Sequence, residues 1–287
     1  MISNPTINEE EIIEYYENCQ VDYEICWHLN IMMSMHYGYW TKHTKTLRKA
    51  LNQMNLELVK QVDINQNDYV LDAGCGVGGS SIYLAKNLGC TVKGISLTPS
   101  QIDKCNINSK KHGVDQLVSF EKQNYLSTTF DDNTFDVVWA IESVCYAFDK
   151  LDFLKEAYRV LKPGGRLIVA DFYAEKYEAG TKNAELMEKW TDSWAIKAYA
   201  TTDEFVDKCR QAGFENTLVR NVTKNVLPSI KRLYYYFFPG ILVTTVSEAL
   251  GIRTAGQSKN TWSTYYQYKA YKRGLWRYNI ISSKKPN

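Results

Sequence analysis

Short apolar runs alternate with longer amphipathic segments between Tyr69 and Asp171, and no other feature of the sequence constrains the fold as strongly. The apolar runs predict strands at Tyr69–Leu71, Thr91–Ile95, Leu117–Phe120, Phe135–Ile141 and Arg166–Ala170. Phe135–Ile141 is apolar almost throughout, as expected for a strand that helices cover on both faces. Strands joined by helices form parallel sheets through right-handed crossovers. The alternation therefore predicts a doubly wound α/β fold.

Helices between these strands are indicated by apolar spacing and by glycine or proline at their ends. Apolar residues recur at steps of three and four from Leu47 to Val62, which predicts a helix ahead of the core. Another helix is predicted to begin with Pro99 near its first turn and to end at His112, before Gly113. The same signals predict further helices at Ser80–Leu88, Leu151–Leu161 and Asp203–Gln211.

The regular alternation ends after Asp171. A polar and aromatic stretch up to Ala200 is interpreted as an insertion, a second irregular stretch runs from Asn225 to Gly274, and a last strand is predicted at Trp276–Ile281. We expect one integrated domain with three parts. These are an N-terminal helical lid at 1–64, a cofactor-binding core at 65–171, and the rest of the sheet with an inserted helical and aromatic substrate cap at 172–287.

Neither the N-terminal stretch nor the longest apolar stretch predicts export or a membrane span. Met1–Gln20 is acidic and resembles neither a signal peptide nor a transit peptide. Tyr234–Val246 contains Pro239 and Gly240 and is shorter than the roughly 20 residues needed to cross a bilayer. We interpret it as a cap element or a surface anchor.

Composition narrows the classes of partner. A formal net charge of +2 over 287 residues gives no reason to expect nucleic acid, so a small molecule is the expected partner, and a homodimer is left open. Seven scattered cysteines without a Cys-x-x-Cys pair predict neither a disulfide framework nor a zinc site, and favour a reducing cytoplasm. The four histidines show no metal-ligand spacing, so no metal is expected.

Gly74, Gly76 and Gly79 form a G-x-G-x-x-G pattern directly after a predicted strand and at the start of a helix. Such a loop holds an anion at the helix N-terminus, which fits a pyrophosphate or the carboxylate of a methionine moiety. The second strand ends at Ile95-Ser96-Leu97 without the acid that a nicotinamide cofactor requires, which weighs against an oxidoreductase. Asp72, just before the loop, can accept hydrogen bonds from an amino group and therefore favours S-adenosylmethionine.

Three ordered segments resemble the motifs of class I S-adenosylmethionine-dependent methyltransferases: Val70–Gly79, Phe135–Ser143 and Arg159–Gly165. Gly79-Ser80-Ser81 and Ile141–Ala147 are similar to the branch of sterol 24-C-methyltransferases, γ-tocopherol methyltransferases and related natural-product enzymes. The resemblance covers about Tyr15–Phe172. It implies a Rossmann-like, mostly parallel sheet of the seven-strand methyltransferase type and S-adenosylmethionine as cofactor.

The resemblance also implies which residues contact the cofactor. They lie in the glycine loop, in the turn after the second strand and at the ends of the third and fourth strands: Asp72, Gly74, Cys75, Gly76, Gly78, Ser96, Leu97, Thr98, Gln101, Asn124, Tyr125, Ile141 and Glu142. Asn124 stands where the family often has an Asp that holds the adenine amino group, so its side-chain carbonyl inherits that role. Cys145 or Tyr146 stands in place of a frequent histidine, so a mechanism that uses this histidine as base does not transfer.

Methyl transfer from a sulfonium needs alignment and exclusion of water more than catalytic side chains. Glu142 follows the fourth strand and is the candidate catalytic residue, either as a base or as a group that stabilises a cation. The alternative is a buried carboxylate with a structural role. Aromatic and polar residues of the lid and its surroundings are expected to contact the acceptor or to form plain core: Tyr16, His36, Tyr37, Tyr39, Trp40 and Tyr146.

The favoured function is C-methylation of a hydrophobic prenyl, terpenoid or sterol-like acceptor. The first alternative is methylation of oxygen, nitrogen or an aromatic ring of a specialised metabolite, because a deprotonating Glu142 serves that reaction equally well. A more remote alternative is a non-catalytic cofactor-binding partner protein.

Overall fold

A single seven-stranded sheet forms the centre of the protein, for which a computed structural model describes residues 9–287. Residues 1–8, the first part of both the predicted lid and the Met1–Gln20 stretch, lie outside the described residues. In chain order the strands are β1 Tyr69–Ala73, β2 Thr91–Ser96, β3 Val118–Lys122, β4 Phe135–Ile141, β5 Leu161–Ala174, β6 Glu215–Asn221 and β7 Trp276–Lys284.

The sheet has the order β3-β2-β1-β4-β5-β7-β6. Strands β1 to β5 pair in parallel, and only β7 runs antiparallel to its neighbours β5 and β6. This arrangement confirms the predicted doubly wound, mostly parallel fold. The strand order reverses between β1 and β4, and such a switch point opens a crevice at the carboxyl ends of the strands where α/β proteins bind ligands.

Helices precede the sheet, cover both of its faces and form a cap. They are α1 Glu9–Asn18, α2 Gln20–Cys26, α3 Leu29–Met32, α4 Leu47–Val62, α5 Gly79–Leu88, α6 Pro99–His112, α7 Lys150–Val160, α8 Lys182–Ser193, α9 Thr202–Gln211, α10 Thr223–Ala249 and α11 Ala255–Lys272. A short 3₁₀ turn lies at Val144–Tyr146. Helices α1 to α3 confirm that the N-terminal region is helical; the proposed domain bounds stay predictions.

The two faces of the sheet carry separate hydrophobic cores, because successive strand residues point to opposite sides. Val137 and Trp139 of β4 pack in the core that includes Met54 of α4, whereas Val138 packs with Phe153 of α7 on the other side. The helix at Leu47–Val62 and the strand at Phe135–Ile141 have the predicted bounds.

The prediction of an irregular stretch from Asn225 to Gly274 is wrong, because α10 and α11 occupy most of it. Their aromatic rings pack across the interface between the two helices. The ring centroids of Tyr234 and Tyr268 are 4.2 Å apart, and those of Phe237 and Tyr265 are 5.1 Å apart. Helix α8 likewise occupies part of the stretch interpreted as an insertion. Within residues 9–287, no helix combines the length and apolar character needed to cross a bilayer.

Phe172 of β5 packs against the N-terminal region, the sheet and α8; we keep the name lid for the described N-terminal residues 9–64. Its ring makes edge-on contacts with Tyr37 of the lid at 5.5 Å, Trp190 of α8 at 5.5 Å and Tyr278 of β7 at 4.9 Å between centroids. Edge-to-face pairs at such distances stabilise a fold beyond the area they bury. The lid is therefore held by the same aromatic core that joins β5 to β7.

Leu58 is fully buried between α4 and the sheet, so its truncation tests this core. Leu58→Ala is expected to lower the free energy of unfolding by about 2–5 kcal/mol, because it leaves a cavity in a close-packed layer. Chemical denaturation measures the change. Lys60→Ala, an exposed position of the same helix, is the control and is expected to stay within about 0.5 kcal/mol of the parent protein. Equal losses in the two variants would contradict the assignment of α4 to the core.

Candidate functional site

A cavity of about 590 Å³ opens at the carboxyl ends of β1, β2 and β4. One end is walled by the glycine loop after β1, the turn after β2 and the end of β4. The other end is walled by the lid and by α10 and α11. The cavity therefore lies at the switch point of the sheet and runs from there into the cap.

The glycine loop leaves no room for side chains. Gly74 and Gly76 have φ angles of +102° and +53°, which are strained for other residues. A Cβ on Gly74 would lie 2.4 Å from the Cβ of Ser143, and one on Gly79 would lie 2.0 Å from the carbonyl oxygen of Met33. The loop thus presents bare backbone to the cavity, and the lid packs directly against the first turn of α5.

Asp72 places a carboxyl group beside this loop. It is buried, it lines the cavity, and its Oδ2 accepts a 2.6 Å hydrogen bond from the Ser81 hydroxyl. Burial raises the pKa of Asp72 to about 6, against the lowering effect of the Ser81 hydrogen bond. A cationic amino group bound at this position would relieve that burial cost.

The turn after β2 forms a small polar network. The Ser96 hydroxyl donates to Gln101 Oε1 at 2.7 Å, and the backbone N–H of Thr98 donates to Ser96 Oγ at 3.2 Å. Ser96, Leu97, Thr98 and Gln101 all line the cavity, as Cys75 and Ile141 do. The structure therefore brings these predicted cofactor residues together with Asp72 and the glycine loop.

Asn124 lies elsewhere. Its Oδ1 accepts from the backbone N–H of Leu126 at 2.8 Å, and its amide nitrogen donates to Glu9 at 2.7 Å, so the side chain caps its own turn and meets the lid. Its neighbours Gln123 and Tyr125 line the cavity instead, and the Tyr125 hydroxyl donates to the carbonyl of Ser143 at 2.8 Å. Gly78 is also outside the lining, because it turns away as the N-cap of α5.

Glu142 is held at the end of β4 in a left-handed conformation with φ +51°, a strain of about 1–3 kcal/mol for such a residue. Its Oε1 accepts one hydrogen bond from the backbone N–H of Tyr37 and one from the Tyr278 hydroxyl, both 2.7 Å long. Burial raises the pKa of Glu142 to about 8, although the hydrogen bonds from Tyr278 and Tyr37 oppose the shift. The carboxyl is thus fixed, faces the cavity, and titrates near neutral pH.

The predicted acceptor and lid residues divide into two groups. Tyr16, His36, Tyr37 and Tyr146 line the cavity, and the Tyr16 hydroxyl donates to that of Tyr146 at 3.2 Å. Tyr39 and Trp40 lie outside the lining.

These two residues fasten the lid to the rest of the protein. The Trp40 indole donates to Ser229 of α10 at 2.8 Å. The Tyr39 ring lies 5.8 Å from the guanidinium of Arg220 in β6. Their aromatic character alone gave no means of separating them from the cavity residues.

His36 is buried, with Nδ1 3.0 Å from the carbonyl oxygen of Tyr37, while its Nε2 has no hydrogen-bond partner among the described residues. Burial lowers the pKa of His36 to about 4, so the ring is neutral at neutral pH. Within residues 9–287, no cluster of three or more His, Cys, Asp or Glu side chains could hold a metal ion.

Sequence reasoning missed much of the end of the cavity that is walled by α10 and α11. The lining there and nearby combines aromatic, aliphatic and hydroxyl-bearing side chains: Phe172, Trp194, Tyr199, Leu233, Tyr236, Phe237, Thr261, Ser263 and Thr264. The aromatic repeats at Tyr234–Phe238 were a signal for a cap, but their spacing could not show which rings face inward.

Comparisons with known proteins show which proteins this chain is similar to. A family model described as a methyltransferase domain matches residues 71–169. The chain is similar to 27-O-demethylrifamycin SV methyltransferase of Amycolatopsis mediterranei, with 32% identity over 197 residues, 68% of this chain and 72% of that protein. It is also similar to tocopherol O-methyltransferase of Arabidopsis thaliana, with 28% identity over 226 residues, 76% of this chain and 63% of that protein.

Solved structures share the fold. The [4+2]-cyclase SpnF has a TM-score of 0.78 at 20% identity and covers 97% of this chain and 96% of its own. Geranyl diphosphate C-methyltransferase of Streptomyces coelicolor, in complex with Mg²⁺, geranyl-S-thiolodiphosphate and S-adenosyl-L-homocysteine, has a TM-score of 0.76 at 19% identity and covers 99% of each chain. Identities this low establish the architecture and leave the chemistry to the residues of the site.

Two substitutions test the cofactor end of the cavity. Asp72→Ala and Gly76→Val are each expected to abolish S-adenosylhomocysteine binding. The first variant removes the carboxyl group. The second places a side chain at Gly76, where a Cβ alone would lie 2.8 Å from the Cε atom of Met35. Isothermal titration calorimetry measures the affinity. Asp152→Ala, an exposed acid of α7, is the control and is expected to bind as the parent protein does. Retained affinity in both cavity variants would place the cofactor elsewhere.

Proposed function

Because this chain belongs to the S-adenosylmethionine-dependent methyltransferases, we propose that it methylates a carbon atom of a neutral hydrophobic acceptor, such as a prenyl, terpenoid or sterol-like molecule. One observation carries the proposal: a fixed carboxyl group, that of Glu142, faces a cavity whose wall includes aromatic rings such as those of Tyr16, Phe172 and Trp194. S-adenosylmethionine supplies an activated methyl group when bound. The residues of the chain then have to align the acceptor, exclude water and take a proton.

The residues around the glycine loop fit this cofactor. Asp72 is proposed to hold its amino group, the bare backbone at Gly74 and Gly76 to hold its carboxylate, and the polar turn at Ser96–Gln101 to hold its ribose. Gln123 and Tyr125 take the adenine end in place of Asn124, whose carbonyl is already bonded within its own turn. The lid, proposed at 1–64, closes this end against water.

Glu142 is proposed to take the proton that the reaction releases. Addition of a methyl group to an alkene leaves a cation that must lose a proton, and a carboxylate beside the acceptor can both stabilise that cation and remove the proton. Both hydrogen bonds to this carboxyl end on Oε1, so Oε2 is left for the acceptor among the described residues. Rings such as Tyr16 and Phe172 would add roughly 0.5–2 kcal/mol of cation stabilisation each.

The charges of the lining favour an acceptor without a phosphate group. Arg253 is the only Lys or Arg in the described lining, and its guanidinium forms a two-point ion pair with Asp22 at 2.8 and 2.6 Å. The carboxyl groups of Asp72 and Glu142 would repel a diphosphate once ionised. A neutral apolar molecule needs no free cation to bind it and is not repelled by these carboxyl groups.

Methylation of oxygen is the second candidate. The name of the rifamycin relative indicates methylation of an oxygen atom. A carboxyl group with a pKa of about 8, as Glu142 has, is well matched to deprotonating a hydroxyl or phenol near neutral pH. In this reaction Glu142 takes the proton from the acceptor oxygen, and the aromatic walls only bind the acceptor.

The pH dependence of turnover tests Glu142 as base. Its carboxyl group is protonated below the raised pKa of about 8, so kcat/KM is expected to rise with pH and to level off above that value. Glu142→Gln keeps an oxygen to accept from Tyr37 and Tyr278 but cannot take a proton. Turnover is expected to fall by about 10²- to 10⁴-fold without the pH inflection.

Cofactor affinity in Glu142→Gln is expected to stay unchanged, which separates a chemical role from a binding role. Glu185→Gln, an exposed position in the first turn of α8, is the matched control and is expected to behave as the parent enzyme does. Full turnover of Glu142→Gln with an unaltered pH profile would show that this carboxylate has only a structural role.

An acceptor panel decides between the two candidates. Labelled methyl transfer from S-adenosylmethionine is measured with neutral prenyl alcohols, sterols, phenols, amines and prenyl diphosphates, and the labelled atom is located by mass spectrometry and NMR. A new carbon–carbon bond in a neutral acceptor is the expected result. Label on a hydroxyl oxygen would establish the second candidate instead. Use of prenyl diphosphates to the exclusion of neutral acceptors would contradict the charge argument from Arg253.

A further inference from the structure

The solvent side of α10 exposes large apolar side chains along one stripe. Its members are between 50% and 68% exposed and follow one another at helical spacing: Tyr235, Phe238, Leu242, Val246 and Leu250. Residues three or four apart lie on the same helix face, so the five form one continuous surface. Val243, 65% exposed, widens it. We call this surface the apolar stripe; a contiguous exposed patch of this kind usually marks a binding surface.

The same helix face is basic ahead of the apolar stripe. Lys224 and Lys231 are exposed and precede Tyr235 at matching helical intervals. No aspartate or glutamate occurs from Thr223 to Ser247, and Glu248 is the first acid of the helix. The protein as a whole carries a formal charge of only +2, so this face combines apolar side chains with a local excess of positive charge.

The lid extends this surface. Val21, Ile25 and Ile31 are 58–65% exposed, and their segment is fixed beside α10 by a hydrogen bond from Arg232 to the carbonyl oxygen of Cys26. The Arg232 guanidinium also lies 4.9 Å over the ring of Tyr236.

Three residues of this surface also line the cavity: Ile25, Tyr236 and Val243. Each is substantially exposed to solvent as well. The exposed apolar surface therefore continues into the mouth of the cavity.

We propose that this face binds the surface of an anionic lipid bilayer. The apolar stripe enters the interfacial region, α10 lies parallel to the membrane plane, and Lys224 and Lys231 meet anionic headgroups. Tyrosine and phenylalanine at the stripe suit this region, where aromatic residues are enriched. An isologous contact would pair this face with itself, and from Thr223 to Ser247 the face offers no acid to Lys224 and Lys231, whereas an anionic bilayer offers the opposite charge.

The position of the cavity mouth indicates how contact with a membrane would serve the proposed reaction. A neutral apolar acceptor dissolved in the bilayer can reach the cavity along Ile25 and Val243 without crossing water. Membrane binding itself does not depend on the proposed reaction, because it follows from the exposed surface alone.

Vesicle sedimentation of the full chain tests the proposal. The protein is expected to sediment with vesicles of phosphatidylcholine and phosphatidylglycerol, less with phosphatidylcholine alone, and less again as salt is added. Leu242→Asp and Val246→Asp are each expected to weaken binding by about tenfold or more, because each places a charge in the apolar stripe. Neither residue lines the cavity.

Leu218→Asp is the matched control. Leu218 is 63% exposed on β6, outside the apolar stripe, and the same change there is expected to leave vesicle binding intact. S-adenosylhomocysteine affinity, measured for every variant, verifies that each is folded. If the protein sediments with neither kind of vesicle, the proposal is overturned. A dimer in light scattering that Leu242→Asp converts to a monomer would overturn it too, because the stripe would then join two copies. Failure of every neutral acceptor would refute only the proposed reaction.

Discussion

The hydrogen bonds to the Glu142 carboxyl connect the parts of this protein that have to act together. Glu142 belongs to the end of β4, Tyr37 to the lid and Tyr278 to β7, and all three meet at one oxygen atom. In addition to its contacts through Tyr39 and Trp40, the lid is therefore docked on the group to which chemistry is assigned. Phe172 packs against both tyrosine rings. Position of the lid and pKa of the carboxyl are linked through Tyr37, because its backbone N–H donates to Glu142 and lowers the pKa that burial raises.

The sequence was sufficient for six of the seven strands, because buried strands and amphipathic helices have a recognisable periodicity. Phe135–Ile141 is covered on both faces and is therefore apolar almost throughout, and α4 has one buried and one solvent-exposed side. Helix α10 escaped prediction because Pro228 and Pro239 stand inside it and because its rings pack against α11 in a cap with no single dry face. Strand β6 escaped because an edge strand with few buried residues has no apolar run to detect.

At the site, local motifs located the cofactor end and left the acceptor end open. The glycine loop and the turn at Ser96–Gln101 are short-range structures, so their residues meet wherever the motif folds. Asn124 differs because its side chain is hydrogen-bonded to the backbone of Leu126, and the neighbouring residue Gln123 lines the cavity in its place. Trp194 and Tyr199 reach the cavity only through tertiary packing around Phe172, which no local pattern encodes.

The contact between the lid and the first turn of α5 has a consequence for the timing of the reaction cycle. A Cβ on Gly79 would lie 2.0 Å from the carbonyl oxygen of Met33, so the two backbones touch with no side chain between them. Backbones in such contact cannot slide past each other, so a movement of the lid at this point has to lift it away from α5. Such a lifting motion would uncover the glycine loop and would tie exchange of a cofactor held there to the rate of opening and not to the rate of methyl transfer.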